Sequence, residues 1–287
     1  MFASFTERLN FGMGGGTVSS PSAFPTRPIG QLGNFNTYAI NFIAATGITA
    51  SDQQSAINQL SYDLVNTGLM NKMVAIYPFV GGNATTHSFN LKDPRNADNA
   101  FRLTFGGGMT HSSTGIQFGG VNGIALTYLN GLGNLPQTNM HISVYSRTIT
   151  VGNVYEVSLD NGSQFQQFRP GVNFFSGNAT NTQGGVSFTT TNTAQGYWIG
   201  SKTDTSTRFG FRNGVLNSAV TTFNDVSASP NLQFTIGARN LNGVAQNGTY
   251  TAKELAFVTI GLGLSQVECI TLSAIVATFQ TTLGRNV

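Results

Sequence analysis

Residues Thr207–Leu216 read Thr-Arg-Phe-Gly-Phe-Arg-Asn-Gly-Val-Leu. Phe209 and Phe211 alternate with Arg208, Gly210 and Arg212, the period-two pattern of a strand with one apolar and one polar face. Asn213-Gly214 then supplies two residues that tolerate positive φ, as a type I′ turn requires. Val215 and Leu216 open the return strand. A hairpin with one aromatic face cannot stand alone. The expectation is that a second sheet covers Phe209 and Phe211, and that the two rings contribute to the interior between facing sheets.

The flanking sequence supplies the rest of such a sandwich. Between residues 74 and 264, short apolar runs recur at strand-length intervals, punctuated by Gly and Asn. Candidate strands are Val74–Val80, Thr86–Asn90, Phe101–Phe105, Gly123–Asn130, Met140–Thr148, Val154–Leu159 and Gln164–Phe168. Val186–Thr190, Gly196–Ser201, Leu232–Ala238 and Leu255–Leu262 follow. Asp160-Asn-Gly-Ser163 is a second hairpin signal. Many short strands at this spacing predict a mainly β sandwich rather than a parallel α/β sheet.

Two helices bracket it. Residues 46–73 form a helical segment whose helix runs Thr49–Lys72, with a capping box at Ser51 and Gln54 and an apolar stripe of Ile57, Leu60 and Leu64. Gly68 is its stop signal. Residues 265–287 form the closing helix. Ser265 and Glu268 make its capping box, and Leu272, Ile275, Val276, Phe279 and Leu283 its stripe. Residues 1–45 read as an extended arm, rich in Gly and Pro and without a period. Phe2, Phe5, Phe11, Phe24, Phe35 and Phe42 punctuate it. Spaced aromatics either dock into a neighbouring surface or fold the arm back onto its own domain.

Composition narrows the function. Only 9% of the 287 residues are charged, whereas Gly (35) and Phe (22) abound. Such a surface is polar without being charged. The net charge of +3 is spread along the chain, which argues against a nucleic-acid partner. No apolar run is long enough for a membrane span, and residues 1–10 lack the apolar core of a signal peptide. Cys269, the one cysteine, falls within an apolar helical pattern and is expected to be inert core.

The order of motifs carries a resemblance. Arg208–Leu216 (RFGFRNGVL), Phe234–Asn240 (FTIGARN) and Lys253–Glu268 (KELAFVTIGLGLSQVE) follow one another as in the laminin-G-like, concanavalin A-like lectin/glucanase jelly roll. With Asn71–Gly115 and Thr278–Val287 added, the chain resembles virion proteins of tailed bacteriophages, in particular those of crAss-like phages infecting Bacteroidetes. The resemblance covers residues 50–287 and leaves the arm unmatched. It implies a jelly-roll β-sandwich made without a signal peptide, located on a virion surface, with other virion proteins and copies of itself as partners.

Chemistry is sparse. Glucanases of this fold cluster carboxylates on one strand, yet this chain has four Glu and no such cluster. Glu156 and Asp160, four residues apart on a strand, would lie about 13 Å apart, beyond the roughly 5–9.5 Å of glycosidase pairs. No enzyme is expected. His87, His111 and His141 have no ligand-like spacing, so no metal is assigned. Some laminin-G-like modules hold calcium, which stays open, but the scattered Asp residues place no site. No cofactor is expected. For glycan binding, Tyr197 and Trp198 are the candidate stacking platform; the favoured alternative is that Trp198 alternates inward from strand Gly196–Ser201 as core. Lys92-Asp-Pro-Arg95 is the densest charge cluster, read either as a solvated turn or as a subunit contact in which Arg95 or Arg102 pairs. The expected function is a non-enzymatic structural virion protein anchored by its arm through Phe2, Phe5, Phe11, Phe24 and Phe35. The alternative is a receptor- or glycan-binding adhesion module.

Overall fold

The computed structural model of the protein describes residues 36–178, 185–188, 193–221 and 228–287. Two sheets stack face to face. The central sheet runs Val215–Val220, Arg208–Arg212, Gly196–Lys202, Met140–Ser146, Glu254–Gly261, Gly115–Phe118 and Met109–Ser112. Met73–Tyr77 also pairs with Glu254–Gly261. The outer sheet runs Gly185–Ser187, Asn173–Asn178, Gln164–Arg169, Val157–Asp160, Gln233–Ile236, Ile124–Asn130 and Thr104–Gly106. A small hairpin, Asn240–Leu241 with Val244–Ala245, attaches to Val157–Asp160. Pairing is antiparallel, apart from the contact of Leu241 with Asp160. The mainly β sandwich with helices near both ends is therefore as expected.

Both hairpins form. Arg212 pairs with Val215 across Asn213 (φ 48°) and Gly214 (φ 80°), and Asp160 pairs with Phe165. What covers Phe209 and Phe211 differs from the expectation. Phe211 pairs with Ile199 and Phe209 with Ser201, so these residues share one face of the central sheet. That face also carries Tyr145, Tyr197 and Phe257, and helices rather than a sheet pack against it. Ile57, Leu60 and Leu64 come from the helix Ser51–Asn66, and Leu272, Ile275, Val276 and Phe279 from the helix Gln266–Thr282.

The opposite face of the hairpin meets the outer sheet. There the alternation places Gly210 beside Gly200. A Cβ at Gly200 would lie 2.2 Å from Cγ of Phe174, and one at Gly210 would lie 2.6 Å from Cε1 of Phe188. The two glycines are thus the hollow into which the outer sheet's aromatics fit. Arg212, on the same face, lies over the Trp198 ring at 5.3 Å. The interior between the sheets is built instead from Ile142, Val144, Trp198, Leu255, Val258 and Ile260 against Leu159, Phe168, Phe174, Phe234 and Ile236.

The helices also carry corrections. Ser265 and Glu268 form the capping box. Ser51 and Gln54 do not: the cap is Ala50, and Gln54 donates to the Ile48 carbonyl instead. Residues 37–45, expected within an extended arm, belong to a helix, Thr37–Thr46, capped by Asn36 and ended by Gly47 at φ 66°. Phe42 and Ala39 are buried on it. Thr86–Asn90, expected as a strand, instead holds the end of the helical turn Ala84–His87 and a single bridge from Asn90 to Asp93.

The C-terminal residues lock this assembly. The guanidinium of Arg285 is 1% exposed and donates to the carbonyls of Pro78, Phe79 and Ala256 and to Oε1 of Gln280. Burial pushes its pKa down to about 9, so it stays charged at neutral pH. Truncation would leave these acceptors unpaired in the interior. Arg285→Ala is expected to cost about 3 kcal/mol, read as a lower denaturation midpoint in urea with unchanged slope. A shift below about 0.5 kcal/mol, the range of an ordinary surface substitution, would refute the lock.

Candidate functional site

Stacking on a sugar needs an exposed ring, and the expected platform has none. Trp198 is fully buried; its indole Nε1 donates to the Ala194 carbonyl at 2.9 Å, and Phe188 packs on it at 4.8 Å. Tyr197 is 2% exposed and donates to Ser143 Oγ at 2.8 Å. Strand alternation sends one ring into the sandwich and the other under the helices, so this pair is core on both faces. Phe2, Phe5, Phe11, Phe24 and Phe35 lie outside the described residues.

An open cleft of about 650 Å³ lies elsewhere, between the Thr37–Thr46 helix and the loop Lys92–Arg95. Thr37, Asn41 and Ala44, at i, i+4 and i+7, lie along one side of the helix, with Tyr38 beside them; Lys92, Asp93, Pro94 and Arg95 form the other wall. Both walls are rigidly held. Tyr38 packs against the helix-covered core, and its backbone N–H is held by the Asn36 side chain. The loop is fixed from behind by Asn90, a fully buried side chain. Its Oδ1 accepts from the N–H groups of Ile76 and Lys92, and its Nδ2 donates to the Ala100 carbonyl.

Charge within the cleft is arranged unevenly. Arg95 Nε donates to Asp93 Oδ1 at 2.8 Å, and Nη2 to Oδ2. The Arg95 hydrogen bonds hold the Asp93 carboxyl below the usual carboxylate range. Lys92 Nζ donates to the Met70 carbonyl at 2.8 Å and lies 5.2 Å from the centre of the Tyr38 ring. The cluster Lys92–Arg95 therefore belongs to a cleft wall, with Arg95 paired inside its own loop. Arg102 does not line the cleft; it lies over Phe89 at 5.6 Å. Tyr38 and Asn41 escaped sequence reasoning because they fell in the arm, although Asn36 and Gly47 bracket their helix with ordinary cap signals.

Four further carboxylates are held in ion pairs. Glu156 is fully buried against Lys253 at 2.7 Å, Asp160 meets Arg239 at 2.6 Å, Glu254 meets Arg147 and Glu268 meets Lys72. Burial raises the Glu156 pKa against the pull of Lys253. His87 and His111, far apart in the sequence, meet with Nδ1 atoms 3.0 Å from each other. Among the described residues no group of three or more His, Cys, Asp or Glu could hold a metal, and no helix is long and apolar enough to cross a membrane. Cys269 is buried, and burial pushes its thiol pKa up.

No protein-family model matches this chain, and no curated protein does. Solved structures share its architecture. One accompanies the finding that cell entry of botulinum neurotoxin type C depends on interaction with two ganglioside molecules: 10% identity and a TM-score of 0.51 over 72% of this chain and 52% of that one. Domain 4 of AbnA, a GH43 extracellular arabinanase from Geobacillus stearothermophilus in complex with arabinotriose, is 15% identical, with a TM-score of 0.47, over 70% of this chain and 98% of that domain. The binding domain of Paraclostridial Mosquitocidal Protein 1 is 11% identical, with a TM-score of 0.48, over 71% and 52%. The chain thus spans about half the length of the toxin chains it matches. Such low identities speak for the β-sandwich fold alone.

Proposed function

We propose that this protein is a non-catalytic module that binds a glycan through the cleft between Thr37–Thr46 and Lys92–Arg95. The observation that carries the reading is the cleft itself: a held aromatic ring, an amide, a hydroxyl and charged groups around one open volume. A cleft that sets one aromatic ring and apolar surface beside a hydroxyl, an amide and charged groups suits a sugar, which offers a hydrophobic ring face and a rim of hydroxyls. The sandwich shared with botulinum neurotoxin type C, a toxin whose cell entry depends on gangliosides, agrees with a glycan as ligand. Carboxylates held in ion pairs agree with binding without hydrolysis.

We infer from the resemblance in the sequence a location on a virion surface, where the module would meet a glycan of the host surface, with other virion proteins and copies of itself as neighbours. Anchoring by the Phe-studded residues before the first helix belongs to that reading, and particle incorporation of a chain lacking residues 1–34 tests it. Unchanged incorporation would remove the anchor.

A glycan array probed with the whole chain tests recognition. Tyr38→Ala is expected to weaken the best binder about tenfold, the loss of one aromatic contact, and Asn41→Ala, an exposed position, to act in the same direction with the unfolding midpoint holding near its original value. An array without any binder at millimolar affinity would end the glycan reading. Trp198→Ala is uninformative here, because it empties the core.

A further inference from the structure

Every ion pair among the described residues neutralises its cation with a carboxylate: Lys72 with Glu268, Arg95 with Asp93, Arg147 with Glu254, Arg239 with Asp160 and Lys253 with Glu156. Lys92 is different. Its ammonium is held by two neutral partners, the Met70 carbonyl at 2.8 Å and the Tyr38 ring; the Tyr38 hydroxyl stands 3.5 Å away. Among the described residues no carboxylate reaches it. An ammonium has three protons to donate, so at least one remains for a ligand in the cleft.

The cleft's own charges sum to an excess of one positive charge, from Lys92 and Arg95 against Asp93. Asp93 is taken up by two hydrogen bonds from Arg95, so it does not compensate Lys92. The helix that forms the other wall adds no acid, for its first turn contains none. Lys92 is half-buried and held in place before a ligand arrives, so little ordering remains for binding to impose. A charge-assisted bond to such a group is about twice as strong as a neutral one.

We infer that the cleft selects acidic saccharides, with the Lys92 ammonium receiving the sugar carboxylate while Tyr38, Thr37 and Asn41 meet the ring and its hydroxyls. This rests on the glycan reading above and names the class of sugar. Lys92 is thereby a specificity-determining residue, and Asp93 a brake on the same field.

The test uses the full chain and matched ligands that differ only at the carboxylate: methyl glucuronide against methyl glucoside, and methyl galacturonide against methyl galactoside, with sodium acetate as the bare anion. Binding is followed by ligand-observed NMR at low and high salt. The acidic member of at least one pair is expected to bind about tenfold tighter, and the advantage to shrink with added salt. Lys92→Met should erase the difference between the acidic and neutral member of each pair. Lys92→Arg, which keeps the charge, should retain the preference, and Asp93→Asn should enlarge it. Equal binding of acidic and neutral sugars would overturn this inference and leave the glycan reading standing. No binding by any sugar would overturn both. Acetate competing at the same concentration as the uronides would overturn the saccharide assignment, leaving a simple anion site.

Discussion

Gly200→Val is expected to yield no folded protein, and Gly200→Ala to lose about 3 kcal/mol of stability. The first carbon of either side chain would sit 2.2 Å from Cγ and 2.6 Å from Cβ of Phe174. Those atoms adjoin the backbone of the outer sheet, so the ring cannot turn away from them; the sheets themselves would have to part. Overpacking of well-filled cores costs about 1–3 kcal/mol and occasionally more, against a total stability of only about 5–15 kcal/mol. Gly133 is the control. Nothing lies within 4 Å of its would-be Cβ, and its φ is not positive, so Gly133→Ala should leave the midpoint unchanged or raise it slightly. Pairing Gly200→Ala with Phe174→Ala, which removes Cγ, should cost less than the sum of the two. A Gly200→Ala protein as stable as the parent would mean that the two sheets do not meet here.

Stability should also fall by about 4 kcal/mol between pH 7 and pH 5. His87 and His141 are both fully buried. Burial, followed by the nearby charges of His111 and Arg285, pushes the His87 pKa down from 6.5 to about 3. Burial pushes His141 down from 6.5 to about 4; Lys72 adds to this, while the bond to the Leu262 carbonyl and the charge of Glu268 oppose it. In the unfolded chain both imidazoles protonate near pH 6.5; in the folded chain they do not. Between these values the unfolded state binds more protons, so folding stability is lost as pH falls. At pH 5 each histidine contributes about 2 kcal/mol of that loss. The carboxylates whose folded pKa is depressed, Asp93, Asp204 and Glu268, act below their ordinary range near 4–4.5, outside this window; Glu156 and Asp63, raised by burial, oppose the loss as pH falls, and His111, lowered by burial, adds to it. Urea midpoints at pH 7, 6 and 5 measure the slope. His141→Asn and His87→Gln should each flatten it by about half, and a pH-independent midpoint would contradict the burial of both rings.

How far the sequence reached can be judged at single positions. Asn213-Gly214 specified its turn because only residues that tolerate positive φ fit there, and that constraint is local. Ser265 with Glu268 specified a helix start for the same reason. Alternation in Arg208–Arg212 correctly divided the strand into two faces, but it could not say which layer met which face. The Phe side looked like sandwich interior, yet it lies under helices, while the apparently polar side, with its two glycines, is the one that meets the other sheet. Hydrophobicity read along one strand carries no information on the partner's shape; a glycine is legible as a hollow only once Phe174 is seen above it. Trp198 was offered both as a platform and as core, and burial decides for core. The cleft was half legible. Lys92–Arg95 stood out by charge, but Tyr38 comes from a helix whose Gly- and Pro-rich approach masked its caps, and the two walls are some 50 residues apart in the chain.

Because the central sheet is roofed on one side by helices from either end of the sequence, the sandwich cannot be excised as a bare pair of sheets. Trimming to residues 74–264 would strip the cover from Tyr145, Tyr197, Phe209, Phe211 and Phe257 and leave a sticky aromatic floor facing solvent. Anyone transplanting this module onto another scaffold has to carry both flanking helices with it, and the smallest unit worth grafting begins at Asn36.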